Sequence, residues 1–259
     1  MSDTLHLKMS DEQCRDLFIA IHTMSADDRL SRVSKLIRDG IDLNSTFDRN
    51  GESPLQRTVA LDLYKIFMLF LKLGASPSTV NTRDGTTALH SIFMFREPMC
   101  EGKHAMLNVL LSTDIPVNKR DNDGSTALHL AVSNSSTEYV NKLLEHGADL
   151  HIVDGDFRDT LYIAIDRGAY SIISLLLQDG ADINKCDEYN ETKLHQFVAM
   201  GYTHDKISIL LHYGIDYSIR NSTGHTAYDL ALLLQEFNIA HLIHDTIRQF
   251  KEDVPRLIG

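Results

Sequence analysis

The side chains of this sequence with the clearest potential for chemistry are threonine and histidine residues placed three positions apart. The pairs are Thr87 and His90, Thr126 and His129, and Thr192 and His195. A hydroxyl next to an imidazole can act as a nucleophile that a general base activates. Catalysis would require the histidines to converge on one point, whereas the pairs recur along the chain inside near-copies of one segment. The spacing therefore predicts that these histidines are structural.

Metal binding is the second chemistry that the residue types would allow. His241 and His244 are three positions apart on a predicted helix, but the sequence supplies no evident third ligand for zinc. Cys14, Cys100 and Cys186 are far apart and have no metal-binding spacing. We therefore expect a reducing compartment, no metal, no cofactor and no catalytic residue.

The segment that runs from Asp123 to Val132 recurs with small changes and marks an internal repeat. Near-copies begin at Asp84 and at Gly224. A second marker is a closing glycine at positions 40, 74, 147, 180 and 214, so that these glycines are 34, 73, 33 and 34 residues apart. The interval of 73 residues spans two repeats and a small insertion, and the unit inside it closes at Asp114. Two markers with the same period predict a repeat array over nearly the whole chain.

A period of 33 or 34 residues with a Thr-x-Leu-His core resembles the ankyrin repeat. The resemblance implies an all-α fold, an ankyrin-repeat solenoid of stacked helix-turn-helix units with short β-hairpin or turn connections. We expect a loose N-terminal segment over residues 1–11, a single ankyrin-repeat domain over 12–250 and a C-terminal tail over 251–259. The seven expected repeats, with atypical caps as the first and last, span 12–47, 48–80, 81–119, 120–152, 153–185, 186–219 and 220–250.

Each signature residue has an expected structural role. The threonine hydroxyls should cap helix N-termini, the leucines should lie in the core, and the resemblance implies that the histidine rings bond to backbone between repeats. The fifth repeat departs from this pattern, because Asp159 and Tyr162 replace threonine and histidine and Phe157 occupies the place of the turn glycine. We expect Gly155 to make that turn instead. Proline and glycine within residues 96–103 predict that this insertion is a loop.

Composition limits the classes of partner. The formal net charge of −11 disfavours nucleic-acid binding, since phosphate contacts need a basic surface. The longest apolar run, near residues 66–71, is too short to cross a bilayer, so no membrane insertion is expected. We expect a monomer in the cytoplasm, either in the cell's own cytosol or in that of a host to which the chain is delivered as an effector.

The resemblance implies a non-enzymatic protein–protein interaction module. Such an adaptor, inhibitor or effector would bind a partner protein through the concave surface that hairpin tips and inner helices form. Two alternatives remain open. The first is a sensor for a small molecule or nucleotide, or an enzyme, that uses the concave groove. A closed apolar cavity near residues 157–162 would favour it. The second is a structural subunit of a larger assembly, which a symmetric dimer in solution would favour.

Candidate partner-binding residues follow from the tip and inner-helix positions that the resemblance places on the concave surface. They are Arg49, Leu61, Arg83, Met94, Phe95, Arg120, Asn122, Asn134, Arg167, Tyr189 and Met200. Arginines on three successive tips, beside apolar residues at the helix ends, predict a site in repeats two to four for a protein segment with acidic and apolar residues. In the alternative interpretation, Met94 and Phe95 fold under the 96–103 insertion and close a small local core.

Overall fold

The computed structural model of this chain describes residues 16–21, 26–45, 51–94 and 100–257. These residues form helices and turns and contain no strand, which confirms the all-α class and makes turns the observed connections. The helices are α1 (16–21), α2 (Ala26–Arg38), α3 (Pro54–Ala60), α4 (Tyr64–Lys72), α5 (Ala88–Phe93), α6 (Glu101–Leu111), α7 (Ala127–Ser133), α8 (Thr137–Glu145), α9 (Thr160–Arg167), α10 (Tyr170–Gln178), α11 (Lys193–Ala199), α12 (His204–His212), α13 (Ala227–Leu233) and α14 (Phe237–Leu257).

The inner helices, α3, α5, α7, α9, α11 and α13, all begin after a polar N-cap residue. In order, the N-caps are Ser53, Thr87, Thr126, Asp159, Thr192 and Thr226. Capping is expected here because the first backbone N–H groups of a helix have no partner within the helix. The predicted N-cap positions of the threonines are therefore confirmed, and the Thr226 hydroxyl accepts the Asp229 N–H at 3.1 Å. The predicted core leucines are confirmed too, since Leu55, Leu89, Leu128, Leu161 and Leu194 are all buried.

The chain is divided into two compact bodies. The N-terminal body comprises Met1–Asn134 and Glu138–Phe157, and the C-terminal body comprises Ser135–Thr137 and Arg158–Gly259. In the N-terminal body, α3 packs on α4 and α5, α5 packs on α6 and α7, and α4 packs on α6. In the C-terminal body, α9 packs on α10 and α12, α11 packs on α12 and α13, and α14 packs on α12 and α13. Helices of successive repeats thus pack on one another inside each body.

The insertion at residues 96–103 is shorter as a loop than the sequence predicts. Residues 96–99 lie outside the described residues, but α6 already begins at Glu101, so the prediction of a loop through Lys103 is wrong. Glu101 in the first turn suits the positive end of the helix dipole. Position 102 suits a glycine because the Asp62 carboxylate occupies the space that a side chain would fill.

The last helix extends beyond the expected repeat. α14 continues to Leu257 and so includes most of the segment expected as a tail. Its buried face carries Ile239 and Ile243, while His241 and His244 are exposed. His241 lies 3.4 Å from the Asp245 carboxylate, as on a solvated helix face. Among the described residues, no helix is both long and apolar enough to span a bilayer.

Candidate functional site

His90, a signature histidine, is held by backbone groups at both ring nitrogens. His90 Nδ1 accepts the Thr87 backbone N–H at 3.2 Å, and its Nε2 lies 3.2 Å from the Ser125 carbonyl oxygen of the next repeat. This arrangement selects the neutral tautomer that carries its proton on Nε2. Burial lowers the pKa of His90 and reinforces the neutral form. The inter-repeat role that the resemblance implied for His90 is confirmed, and its imidazole has no free nitrogen to act as a base.

The C-terminal body repeats this arrangement at His195. Its Nδ1 accepts the Thr192 N–H at 3.3 Å, and its Nε2 lies 3.1 Å from the His225 carbonyl oxygen. His90 and His195 therefore each join an inner helix to the following repeat. Among the described residues, no three histidine, cysteine or acidic side chains are placed to share a metal ion.

The turns at the repeat tips share a left-handed residue. In the N-terminal body these residues include Gly85, Gly124 and Phe157, with φ of 77°, 76° and 60°. Their N–H groups donate to carbonyl oxygens three or four residues earlier, those of Asn81, Asp121 and Asp154. Phe157 itself makes the turn in the fifth repeat, so the assignment of this role to Gly155 is wrong.

Gly155 has a different function in the same turn. Its N–H donates to the Asp123 carbonyl oxygen of the preceding tip at 2.7 Å, and a Cβ on it would come within 2.7 Å of that same oxygen. Glycine thus permits two tips to approach closely. Phe157 and not Gly155 has the left-handed conformation in this turn, and the Phe157 side chain is 84% exposed.

Two of the three predicted tip arginines lie in the described part of the chain. Arg83 and Arg120 are exposed on successive tips, while Arg49 lies outside the described residues. Arg120 Nε donates to the Gly124 carbonyl oxygen at 2.9 Å, which holds the guanidinium against its own turn. Asn122 connects the two tips, because its side-chain Nδ2 donates to the Arg83 carbonyl oxygen at 3.0 Å. Its side-chain amide is therefore used within the fold.

The predicted apolar positions lie at the C-terminal ends of inner helices. Leu61 is the C-cap of α3 and Met94 is the C-cap of α5, and both are exposed. Asn134, the C-cap of α7, donates from Nδ2 to the Phe93 carbonyl oxygen at 2.7 Å, so the ends of α5 and α7 lie side by side. The exposure of Met94 argues against the interpretation in which it closes a local core. Phe95 lies outside the described residues.

In the C-terminal body, the candidate residues occupy separate tips and helix ends. Arg167 is the exposed last residue of α9, and Tyr189 is exposed on a tip. Met200 is the exposed C-cap of α11, and its sulfur accepts the Tyr162 hydroxyl at 3.0 Å. The aromatic rings of Phe197 and Tyr202 pack against Tyr162. This is the region in which a closed apolar cavity would have favoured the alternative function of a sensor or an enzyme. Aromatic side chains thus surround the buried Tyr162 ring.

Sequence reasoning missed one exposed helix end. Five of the predicted residues stand eight positions after an N-cap, namely Leu61, Phe95, Asn134, Arg167 and Met200. The same count from Thr226 gives Leu234, which is the exposed C-cap of α13. The repeat period itself was the signal that would have identified this residue. Phe157 was noticed only as an irregular turn residue, because its exposure depends on the backbone conformation.

The repeat is recognisable by comparison with known proteins. A family model described as ankyrin repeats, three copies, matches residues 59–154 and 161–252. The human B-cell lymphoma 3 protein is 36% identical over 102 residues, which are 39% of this chain and 22% of that protein. An ankyrin repeat protein of fowlpox virus is 30% identical over 126 residues, which are 49% of this chain and 27% of that protein. The matched residues thus span about a quarter of the length of each relative.

A solved structure extends the likeness to most of the chain. The ankyrin repeat domain of Bcl-3, a member of the IκB protein family, matches with a TM-score of 0.68 and 29% sequence identity. The match covers 88% of this chain and 97% of that domain. It supports the expected solenoid class of stacked helix-turn-helix repeats. The chain therefore belongs to the ankyrin-repeat family.

Proposed function

We propose that this chain is a non-enzymatic protein-binding module that works in the cytosol as an adaptor, inhibitor or effector. Its partner surface would comprise the tips and inner-helix ends of the N-terminal body. The observation that carries the proposal is Phe157, a large aromatic side chain that is 84% exposed on a tip although its backbone occupies a region that favours glycine.

The conformation of Phe157 costs stability. A bulky residue with positive φ is strained by on the order of 1 kcal/mol or more. The equivalent residues of other repeats include Gly85, Gly124 and Asn190, which tolerate that conformation at lower cost. A side chain that is 84% exposed gains little from packing to offset this strain. Strained residues of this kind occur at functional sites, and exposed aromatic residues are frequent anchors in protein interfaces.

The neighbouring candidate residues indicate the chemistry of the partner. Arg83 and Arg120 offer exposed positive charge on an otherwise acidic chain, and Leu61 and Met94 offer exposed apolar surface. A partner segment that carries acidic and apolar residues would match both. Charge-assisted contacts of arginine favour carboxylates in particular.

The histidine geometry supports a binding function over catalysis. Both nitrogens of His90 and of His195 lie within hydrogen-bond distance of backbone groups. A general base must reach the proton that it removes, and these imidazoles are already occupied. The residues with the most obvious chemical potential thus serve the fold.

The test has two stages. Partners are first captured with the tagged chain from the native cytosol and identified by mass spectrometry, and the purified complex is then studied by calorimetry. We expect Phe157→Gly to weaken binding about tenfold or more while the melting temperature stays level or rises, because the strain is removed. The double charge reversal Arg83→Glu with Arg120→Glu should weaken binding further.

The matched control is Tyr170→Ser, which removes an aromatic ring that is also exposed but lies on the outer helix α10. It should leave the affinity unchanged. Equal affinities for the native chain, Phe157→Gly and the double charge reversal would show that partners bind elsewhere. A lower melting temperature for Phe157→Gly would show that the ring stabilises the fold, and the argument from strain would then fail.

A further inference from the structure

One position of the inner helix is buried in five repeats but exposed in the seventh repeat. Six residues after the inner-helix N-cap, five repeats place an apolar side chain that is at most 3% exposed. These residues are Val59, Phe93, Val132, Ile165 and Val198. The equivalent residue in the seventh repeat, Leu232, is 42% exposed. Because α3 packs on α5, α5 on α7 and α11 on α13, this position belongs to the stacking surface of the inner helices. Leu232 therefore marks a stacking surface that nothing covers among the described residues.

Leu232 is part of a larger apolar surface, which we name the C-terminal edge patch. It consists of Leu232, Leu233, Leu234 and Phe237, and Leu233 and Phe237 are each more than 60% exposed. Clusters of exposed large apolar side chains mark interaction sites more often than single ones do. The patch lies in the C-terminal body and includes none of the residues assigned above to the partner surface.

The turn that carries the patch is held by its own backbone. The N–H of Leu234 donates to the Leu230 carbonyl oxygen at 3.0 Å, and the N–H of Gln235 donates to that of Leu232 at 3.1 Å. The N–H of Glu236 donates to the Ala231 carbonyl oxygen at 2.9 Å, which closes the turn around the left-handed Gln235. A preformed turn needs little ordering when it binds, so its apolar area contributes more fully to affinity.

The charge pattern selects the occupant of the patch. Between Leu230 and Ala240 the only charged residue is Glu236, whereas the whole chain carries a net charge of −11. Two copies of an acidic chain repel each other over most of their surfaces, but these segments can meet with little like-charge opposition. A basic partner protein would be attracted by acidic residues at the place where it binds, but the segment that carries the patch has a single acidic residue, Glu236. Interfaces between identical chains are also more apolar than those of transient complexes.

We propose that two copies of this chain associate through the C-terminal edge patch as a symmetric dimer, in place of the monomer that the sequence favours. In a dimer with a two-fold axis, the patch of one copy packs against the same patch of the other copy, so one surface supplies both sides of the interface. The dimer would present two partner surfaces, which raises the avidity for a partner that offers two segments. The dimer itself does not depend on the proposed function, and it would also fit the alternative of a structural subunit in a larger assembly.

The experiment measures the mass of the full chain by sedimentation and by light scattering. We expect the dimer fraction to rise between about 1 and about 100 µM, a range that covers weak complexes. Added salt should strengthen the dimer, because it screens the repulsion between acidic chains. Leu233→Asp and Phe237→Asp should each raise the dissociation constant at least about tenfold. Both residues are exposed, so their far-UV circular dichroism should match that of the native chain.

The control is Leu73→Asp, which places the same charge on an exposed leucine of the N-terminal body and should leave the dimer intact. A chain that stays monomeric at the highest concentration overturns the proposal, as does a dimer that both patch variants leave unchanged. Phe157→Gly should dimerise normally, and Leu233→Asp should keep the affinity of one chain for one partner segment. These two variants therefore separate a failure of the dimer from a failure of the proposed function.

Discussion

The third and fifth repeats, whose inner-helix N-caps are Thr87 and Asp159, connect these helices to the next repeat by different chemistry. His90 uses a neutral ring whose Nδ1 contacts the backbone N–H and the hydroxyl of Thr87 in its own repeat, and whose Nε2 reaches the next repeat at the Ser125 carbonyl oxygen. The fifth repeat makes its connection through a side chain of each of the two repeats. Asp159 forms an ion pair of 2.9 Å with Lys193, and the two side chains are 12% and 5% exposed. A backbone contact is compatible with many sequences in the next repeat, whereas an ion pair requires a matching residue there.

The matching residue is recognisable in the sequence once the repeats are aligned. Lys193 follows its N-cap directly, at a position that holds alanine in α5, α7 and α13. The hydroxyl of Tyr162, which replaces the histidine, reaches the Tyr202 hydroxyl at 3.3 Å and the sulfur of Met200. The second repeat shows a third solution, because Gln56 accepts the Ser53 N–H at 2.8 Å and donates to the Thr86 carbonyl oxygen at 2.9 Å. The geometry of the histidine contact therefore survives a change of residue type, provided that the polar atoms remain.

The largest effect is expected from breaking the ion pair. Lys193→Met keeps the volume of the side chain but leaves the Asp159 carboxylate buried without its cation, so the free energy of unfolding should fall by about 3 kcal/mol. Urea unfolding followed by circular dichroism measures this loss. The double change Asp159→Thr with Lys193→Ala restores the residues of the regular repeats and should recover most of it. A loss well below 1 kcal/mol for Lys193→Met would mean that water solvates the pair.

The next effect concerns the regular repeat. His90→Ala removes the acceptor of the Thr87 N–H and the donor to the Ser125 carbonyl oxygen, both inside the fold, so we expect a loss of about 2 kcal/mol. His90→Gln should lose much less, because glutamine makes both contacts at position 56. The same unfolding measurement compares them. Equal losses for the two variants would contradict the claim that the polar contacts, not the ring, connect the repeats.

A smaller effect is expected at the tyrosine. Tyr162→Phe removes the hydroxyl contacts with Tyr202 and Met200 but keeps the ring against Phe197, whose centroid is 4.6 Å away. The cost should be about 1 kcal/mol, the usual contribution of one hydrogen bond. Tyr202→Phe serves as the matched variant, and the double variant should cost less than the sum of the two. Strict additivity of the two losses would mean that the hydroxyl groups do not interact.

The smallest expected effect is a difference between the two repeats in how the free energy of unfolding depends on pH. Burial lowers the pKa of His90, so the unfolded chain binds more protons than the native chain as the pH falls below the ordinary value of 6.5. The free energy of unfolding should therefore decrease on acidification from that pH, although Asp121 and Asp84 oppose the shift. His90→Gln should reduce this slope, while Tyr162→Phe should leave it unchanged. Denaturation midpoints measured between about pH 7 and about pH 5 test the difference. Identical slopes for the native chain and His90→Gln would contradict a buried neutral histidine.

Local residue types made much of this architecture predictable. Thr87, Thr126 and Thr192 identify helix starts because a short polar side chain can bond to the unpaired N–H groups there. Gly85 and Gly124 identify the turns because positive φ is accessible to glycine. The candidate site was less predictable. Asn122 and Asn134 were expected to face a partner, yet their side-chain amides bond to neighbouring repeats.

The sequence by itself determined the repeat period, the helix starts, the core leucines and the family, because each depends on contacts within a few residues or on a pattern that recurs. Only the tertiary structure decided that Phe157 replaces the turn glycine, that Lys193 pairs with Asp159, and that Leu232 is exposed. Those outcomes depend on which atoms of neighbouring repeats approach each other. Gly155 shows the reason, since the oxygen of Asp123 lies where its side chain would have to be.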